Sequence, residues 1–256
     1  MATSDSSPLS LSDQIASLAP GEWWQLQLTN SFWDVAVSYE EHNALVEETG
    51  SDPFWGWNGV RSVLSTWNSA GYDPVDNQWY FFGGGHGDYG GNEVYTLDLD
   101  DLTWQRLTDP EPVTMTTTED GYDIGLPESG PISPHTYDGL TWNESTGTLW
   151  LTSTATGFGP SAPSPDQKAV WEFDPATGQW TAHDSETNMR FGTSAYLGDS
   201  GDMLSLHNGG WHYVTAYHVA ADGTQTDLGV IDGLSFSFMT FTDPSSGQLY
   251  TVTDKA

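Results

Sequence analysis

The 256-residue chain contains no cysteine. Disulfide bonds, thiolate nucleophiles and Cys-ligated zinc are therefore excluded from these residues. Whatever stability and chemistry the chain has must come from packing, hydrogen bonds and other side chains.

Basic residues are nearly as scarce. Five Lys and Arg residues stand against 36 Asp and Glu, and the formal net charge is −31. This charge repels polyanions, so it excludes nucleic acid and anionic membrane surfaces as general partners. Salt relieves the self-repulsion of such a chain, with a screening length of about 8 Å at physiological ionic strength. The composition predicts a high-salt setting, halophilic or marine, or alternatively a surface tuned only for solubility.

Long hydrophobic runs are also lacking. No stretch reaches the ~18 apolar residues of a membrane-spanning helix. Residues 1–10 are polar and contain neither a basic nor an apolar signal region, so no signal peptide is visible and the compartment is not indicated. The chain does contain 13 Trp, 11 Tyr and 10 Phe, which favours a packed core. Its 28 Gly and 14 Pro are spread along the chain, as expected for many short strands joined by turns.

The turns reveal an internal repeat. Strand pairs with an eight-residue spacing around an Asp, Asn, Pro or Gly turn occur at Tyr72–Tyr80, Trp142–Trp150, Tyr196–Leu204 and Thr242–Tyr250. The first three are each followed by a pair with a nine-residue spacing, at Tyr95–Trp104, Trp171–Trp180 and Tyr217–Thr226. Two hairpins per repeat predict a four-stranded antiparallel unit, which is the blade of a β-propeller.

The repeat predicts an all-β chain with about three and a half blades. The predicted blades are residues 62–108, 135–184 and 192–230, with half a blade at 234–256, so the partial propeller covers 62–256. Residues 1–28 are predicted to form a tail, a short capped helix and a lone strand at 22–28 that closes a blade. Residues 29–61 do not fit the repeat and are predicted to be an aromatic and acidic insertion.

One segment resembles a kelch repeat: Gly83-Gly84-Gly85, then Glu93-Val94-Tyr95, then Trp104. The run 84–95 is similar to that of a group of largely uncharacterised microbial kelch-like proteins. The resemblance implies a galactose-oxidase-type propeller of six or seven blades, so we expect the chain to be incomplete at its C-terminus. The alternative is a half-wheel that closes by self-association. The copper-radical site of galactose oxidase is excluded because it needs a Cys.

Blade topology sorts the loops onto two faces. The predicted short turns all fall on one face, and the long links 84–92, 108–135, 155–168, 184–192 and 207–212 all fall on the other. Elaborated loops on one side of a rigid scaffold are where binding sites are usually built. The candidate ligand-binding residues on that face are His86, Asp88, Tyr89, Arg190, His207, Trp211 and His212. The glycines beside His86 are first explained by the turn itself, and a structural role for this histidine is an open alternative.

The same face supports three functional hypotheses. The first is recognition of a glycan or a protein partner. The second is a carbohydrate-active enzyme such as a polysaccharide lyase, in which His86, His135 or Tyr137 abstracts a proton beside a uronate and Arg190 or a metal ion neutralises its carboxylate. The third is a structural component of a virion or cell surface. No metal ligands are assigned, and whether the chain is catalytic is left open.

The charge leads to a stability prediction. Raising NaCl from low to molar concentration should raise the melting temperature because repulsion among the acidic residues is screened. For a chain of this size, each kcal/mol of relieved repulsion should add about 2–4 °C. Differential scanning fluorimetry would measure the shift, with sucrose as the uncharged control. A flat response to NaCl would contradict the high-salt interpretation.

Overall fold

The structure is a computed structural model of the whole chain. It describes residues 9–49, 56–85, 88–111, 115–118, 121–124, 127, 129–152, 169–185, 192–198, 200–210, 213–232, 238–242, 246 and 248–253. Within these residues, no helix is both long enough and apolar enough to cross a membrane.

Strands dominate the fold. The first sheet contains β1 (Ala70–Asp73), β2 (Gln78–Phe81), β3 (Tyr95–Asp98) and β4 (Thr103–Arg106). A small hairpin of β5 (Met115–Thr118) and β6 (Gly121–Ile124) follows. The second sheet contains β7 (Leu140–Asn143), β8 (Thr148–Leu151), β9 (Ala169–Asp174) and β10 (Gln179–Asp184). The third contains β11 (Gly192–Tyr196), β12 (Met203–Gly210), β13 (Tyr213–Val219) and β14 (Gln225–Asp232), and a last hairpin pairs β15 (Phe238–Thr242) with β16 (Leu249–Thr253).

Helical elements lie before the first sheet. They are α1 (Leu11–Ala16), α2 (Tyr39–Thr49) and α3 (Ser62–Ser65), with single 3-10 turns at Phe32–Asp34 and Gly59–Arg61. The predicted capped helix near the N-terminus is confirmed as α1, because the Ser10 side chain accepts a hydrogen bond from the Asp13 amide.

The sheets are arranged as in a propeller. Each four-stranded sheet is an antiparallel meander in chain order. The first strand of each sheet contacts the first strand of the next, so β1 contacts β7, β7 contacts β11 and β11 contacts β15. A parallel bridge between Asp138 and Thr193 joins the chain where it approaches β7 to β11. The protein is thus an all-β chain whose three four-stranded sheets have a propeller-like arrangement.

The predicted hairpins form because the chemistry of their turns is local. In four of them the residue that ends the first strand is Asp or Asn, and its side chain accepts a hydrogen bond from the backbone amide two residues later. These pairs are Asp73 with Val75, Asp98 with Asp100, Asn143 with Ser145 and Asp174 with Ala176. Such a turn needs no tertiary partner, so the sequence pattern predicts it directly.

Aromatic side chains fill the space between the first and second sheets. The rings of Tyr80 and Trp142 stack with centroids 4.9 Å apart and an 8° interplanar angle. Both residues are buried in this core. Gly71 in β1 lets the innermost strands approach, since a Cβ at this position would lie 3.2 Å from the Trp142 amide nitrogen. The interior of the propeller is therefore packed rather than open between these two sheets.

The predicted closing strand at 22–28 is wrong. The structure assigns no strand to these residues. The buried side chain of Gln14 takes the place of a strand partner: its Nε2 donates to the Gln27 carbonyl at 3.0 Å and its Oε1 accepts from the Gln27 amide at 2.8 Å. One side chain in α1 thus satisfies backbone groups that the alternating pattern predicts to be paired in a sheet.

The predicted long link at 207–212 is also wrong over its described residues, 207–210. β12 continues through Gly210, with His207 paired to Thr215 and a register shift between Asn208 and Gly210. The glycines near its end mark an irregularity in a long hairpin rather than a loop. The hairpin of β5 and β6, in contrast, lies inside the predicted link 108–135, where no strands were expected.

The first part of the insertion, residues 29–49, covers the outer edge of the first sheet. The Asn30 side chain accepts from the Trp104 amide at 2.7 Å and donates to the Trp104 carbonyl at 3.0 Å, so it completes the bonding of edge strand β4 at this residue. Phe32 packs edge-on against Tyr95 and Trp104, with centroids 4.9 and 5.3 Å away. Arg106 fixes α2 through a 2.9 Å salt bridge to Glu41.

The two Asn30 hydrogen bonds lead to a stability prediction. Asn30→Ala leaves the amide and carbonyl of Trp104 without these partners, which should lower the free energy of unfolding by about 1–3 kcal/mol. Urea denaturation followed by tryptophan fluorescence would measure the change. Gln25→Ala, at an exposed residue, is the control and should have almost no effect. Equal stabilities of the two variants would contradict the proposed role of Asn30.

Candidate functional site

Asp88, in the link between β2 and β3, joins two links of the predicted long-loop face to each other and to the insertion. Its Oδ2 accepts a hydrogen bond from His135 Nε2 at 3.2 Å, and its Oδ1 accepts from Asn58 Nδ2 at 2.5 Å. Its backbone carbonyl accepts from the amides of Asn58 and Gly59. The side chain of Asp88 is 16% exposed, and that of His135 is 0% exposed. The carboxylate is thus bound mainly by internal donors and holds the insertion against the sheets.

Two bulky aromatic residues above His135 have an unusual backbone conformation. Trp67 has a φ of 46° and Tyr137 a φ of 51°, in the left-handed region that large side chains rarely adopt. The Tyr137 amide donates to the Trp67 carbonyl at 2.7 Å. Their rings contact the His135 ring at centroid distances of 5.1 and 5.9 Å. We call Trp67 and Tyr137 the aromatic platform.

The platform is a candidate site because its strain is held in place. Each such conformation costs on the order of 1–3 kcal/mol and persists only where the surroundings impose it, commonly at functional sites. Here the Asn68 side chain accepts from the Thr136 amide at 3.0 Å, and the Thr136 hydroxyl accepts from the Ser69 amide at 2.9 Å. These bonds fix the two segments side by side. Trp67 is nevertheless 65% exposed, so its indole faces solvent from a backbone that is held in place.

Tyr137 provides a polar group at the same place. It is half-buried, and burial raises the pKa of its phenol to about 12. The hydroxyl therefore stays protonated near neutral pH and can donate a hydrogen bond to a ligand. Both platform residues lie three positions before an innermost strand, Trp67 before β1 and Tyr137 before β7.

A groove of about 290 Å³ lies beside this network. Its lining residues include Trp33, Tyr39, Asn58 and Arg61. Trp33 and Tyr39 are 63% and 55% exposed, and each ring contacts a buried residue, Phe32 at 5.4 Å for Trp33 and His42 at 6.2 Å for Tyr39. Asn58 connects the groove to Asp88, and through Asp88 to the platform.

Below the groove, a buried carboxyl group fixes the insertion to the first sheet. Glu93 is 1% exposed, and its Oε1 accepts hydrogen bonds from the hydroxyls of Tyr89 at 2.7 Å and Tyr95 at 2.8 Å. The Tyr95 oxygen in turn accepts from the Val37 amide at 3.1 Å. Burial raises the pKa of Glu93, although both phenol donors favour its ionised form. This cluster is part of the core and does not reach solvent.

The predicted site residues within the described part fall into two groups. Asp88, His135 and Tyr137 lie close together, because Asp88 hydrogen-bonds with His135 and the His135 ring contacts that of Tyr137. Tyr89 is 1% exposed and is a core residue that donates to Glu93, so its side chain is not presented at the surface. His207 is 3% exposed within β12, where its Nε2 hydrogen-bonds with the Ser205 hydroxyl at 2.6 Å, so it lies in a sheet and not on a loop rim. His86, Arg190, Trp211 and His212 lie outside the described residues.

The predicted kelch glycines act as packing residues. A Cβ on Gly83, whose φ is 105°, would lie 2.7 Å from the Pro134 carbonyl oxygen. The Gly84 amide donates to the same carbonyl at 2.9 Å. These glycines thus bring the link after β2 against the segment that carries His135, which favours the structural interpretation of the turn.

The sequence interpretation missed Trp67, Asn58 and Arg61. A signal for Trp67 was present, because aligned repeats place it and Tyr137 at the same offset from their strands. Asn58 and Arg61 lie in the irregular insertion, where no repeat gives a register. In the part of the chain that the structure describes, no three His, Asp or Glu side chains form a group that would hold a metal ion.

Comparisons with known proteins do not identify a family. No protein family model matches the chain, and no curated protein matches it. It is similar to a chain in a crystal structure of the mitotic checkpoint complex, with a TM-score of 0.28 and 11% sequence identity over 73% of this chain and 87% of that chain. At this TM-score the similarity supports no conclusion about family, partner or function.

The hydrogen bonds of Asp88 can be tested by mutation. Asp88→Ala leaves Asn58 and the buried His135 without their acceptor, so the free energy of unfolding should fall by about 1–3 kcal/mol. The amides of Asn58 and Gly59 should exchange hydrogen faster because the insertion loosens. Glu144→Gln, which removes one charge from an exposed turn, is the control.

Urea denaturation and hydrogen exchange with mass spectrometry would measure the two effects of Asp88→Ala. Unchanged exchange at residues 58–61 would show that Asp88 does not hold the insertion.

Proposed function

We propose that this chain is a recognition module of the kelch-like propeller class that binds a glycan across the aromatic platform. The observation that carries the proposal is Trp67, a 65% exposed indole held in a left-handed backbone conformation. An aromatic face of this kind stacks on the apolar face of a sugar ring. Because the backbone that carries the ring is held in place before binding, less conformational entropy is lost on contact.

The neighbouring groups fit the same ligand class. The neutral Tyr137 hydroxyl can hydrogen-bond a sugar hydroxyl. Trp33 and Tyr39 offer two further exposed rings in the groove, which Asn58, Asp88 and His135 link to the platform. A protein partner would need roughly 800 Å² of complementary surface on each side. The described groove is of a size that suits small ligands, for which pockets measure roughly 300–1,000 Å³. A glycan is therefore the better-supported ligand.

The two other hypotheses gain no support from a specific contact. In the lyase hypothesis, His86 and Arg190 lie outside the described residues. The His135 side chain is 0% exposed and its Nε2 bonds Asp88, which fits a positioning role. A role as a virion or cell-surface component, self-association and a high-salt habitat all stay predictions from the sequence.

A glycan array probed with the full chain would test the proposal. We expect binding to a limited set of glycans, and Trp67→Ala should weaken it by about tenfold or more, since the loss of a stacked aromatic removes about 0.5–1.5 kcal/mol beyond the contact area. Trp23→Ala is the matched control, because Trp23 is 96% exposed but lies outside the platform and the groove.

Circular dichroism and thermal melting would confirm that both variants are folded. Absence of binding to every glycan, or full binding by Trp67→Ala, would refute the proposal. Capture of a defined protein partner with no glycan bound would point instead to protein recognition.

A further inference from the structure

Arg61 is one of five basic residues in a chain with 36 acidic residues. Of the five Lys and Arg residues, the structure describes two, Arg61 and Arg106. Arg106 forms salt bridges with Glu41 at 2.9 Å and Asp109 at 3.1 Å. Arg61 is exposed at the wall of the groove, and no carboxylate within the described residues forms a salt bridge with it.

No Asp or Glu is among the described residues that line the groove, and two carboxylates bonded to or next to its lining segments are bound by internal donors. Asp88 accepts hydrogen bonds from Asn58 and His135. Glu41 accepts from Arg106 and, through its Oε2, from the Ser38 amide at 2.7 Å. Both the Arg106 and Ser38 bonds lower the pKa of Glu41, so it stays ionised and engaged. Arg61 is thus an exposed cation in the lining of the groove that no described carboxylate neutralises by a salt bridge.

We infer that the groove selects a sugar ring that carries a carboxylate, such as a uronic acid. This inference rests on the proposed glycan-binding function and names the class of sugar. The planar guanidinium of Arg61 would bind the carboxylate through two parallel N–H···O hydrogen bonds. The exposed rings of Trp33 and Tyr39 would contact the faces of the sugar.

The size and charge of the surroundings favour this occupant over a longer polyanion. A groove of about 290 Å³ accommodates a group of ring size and not a helix or a folded surface. At physiological ionic strength the screening length is about 8 Å, so distant acidic residues act weakly and the adjacent guanidinium dominates. An extended polyanion would meet the rest of the −31 surface, whereas a single uronate needs only the local cation.

Isothermal titration calorimetry with two matched probes would test the inference. The probes are trigalacturonate and its fully methyl-esterified form, which has the same rings without the charge, in about 0.15 M NaCl. We expect the free acid to bind the wild-type chain at least tenfold more tightly than the ester. Arg61→Gln should abolish this preference while leaving the affinity for the ester unchanged, and Arg61→Lys should keep part of it because the charge remains but the fork is lost.

Two controls isolate the local effect of Arg61. Gln25→Glu changes the net charge by the same one unit at an exposed position outside the groove, and it should keep the full preference for the acid. A triaspartate peptide tests whether any small trianion is accepted, and we expect no binding. Thermal melting would show that the Arg61 variants are folded.

The outcomes separate this inference from the proposed function. Equal binding of acid and ester, a preference that survives Arg61→Gln, or tighter binding of triaspartate would each overturn the inference, while glycan binding through Trp67 could still stand. Binding of neutral glycans on the array with no binding of trigalacturonate would also overturn it. Failure of every glycan to bind would remove both.

Discussion

The carboxylate of Asp88 is the point on which the candidate site depends. It accepts hydrogen bonds from Asn58 and from His135, which are 30 and 47 residues away in the chain. Neither the segment around Asn58 nor that around His135 lies in a four-stranded sheet. Because these segments lack a ladder of backbone bonds, a partly buried charged acceptor supplies their alignment. Asp88 is thus one of the connections between the groove and the aromatic platform, together with the hydrogen bond from the Asn68 side chain to the Ser62 carbonyl.

The strained backbone at Trp67 and Tyr137 is also held by hydrogen bonds between segments that lie far apart in the chain. A left-handed conformation in a bulky residue is stable only if its neighbours leave no alternative. The hydrogen bond between their backbones, the Asn68 and Thr136 side chains and the buried His135 ring together supply that constraint. The result is an exposed indole on a backbone held by these bonds and in contact with the His135 ring. Such preorganisation favours binding of a flat ligand face.

Local chemistry explains what could be predicted from the sequence. The turns after Asp73 and Asn143 depend on a side chain and an amide two residues apart, so the hairpins and the four-stranded units were predictable. The error at 22–28 arose because a distant side chain, that of Gln14, binds the backbone there. Asp88, His135 and Tyr137 were predicted as site residues because they lie in or next to the long links of the repeat. Arg61 lies in the irregular insertion, where no periodicity in the sequence indicates which residues come together in the fold.

The net charge of −31 limits how such a surface can recognise a ligand. Its long-range field slows the approach of any anion, so electrostatic steering cannot help an acidic ligand to associate. Selectivity for a carboxylate must then come from contacts made after arrival, within the screening length of about 8 Å. In the proposed site, the guanidinium of Arg61, which forms no salt bridge with a carboxylate of the described residues, would supply contacts of this short range beside exposed aromatic rings. The physical consequence is that discrimination on this surface acts on the dissociation rate rather than on the association rate.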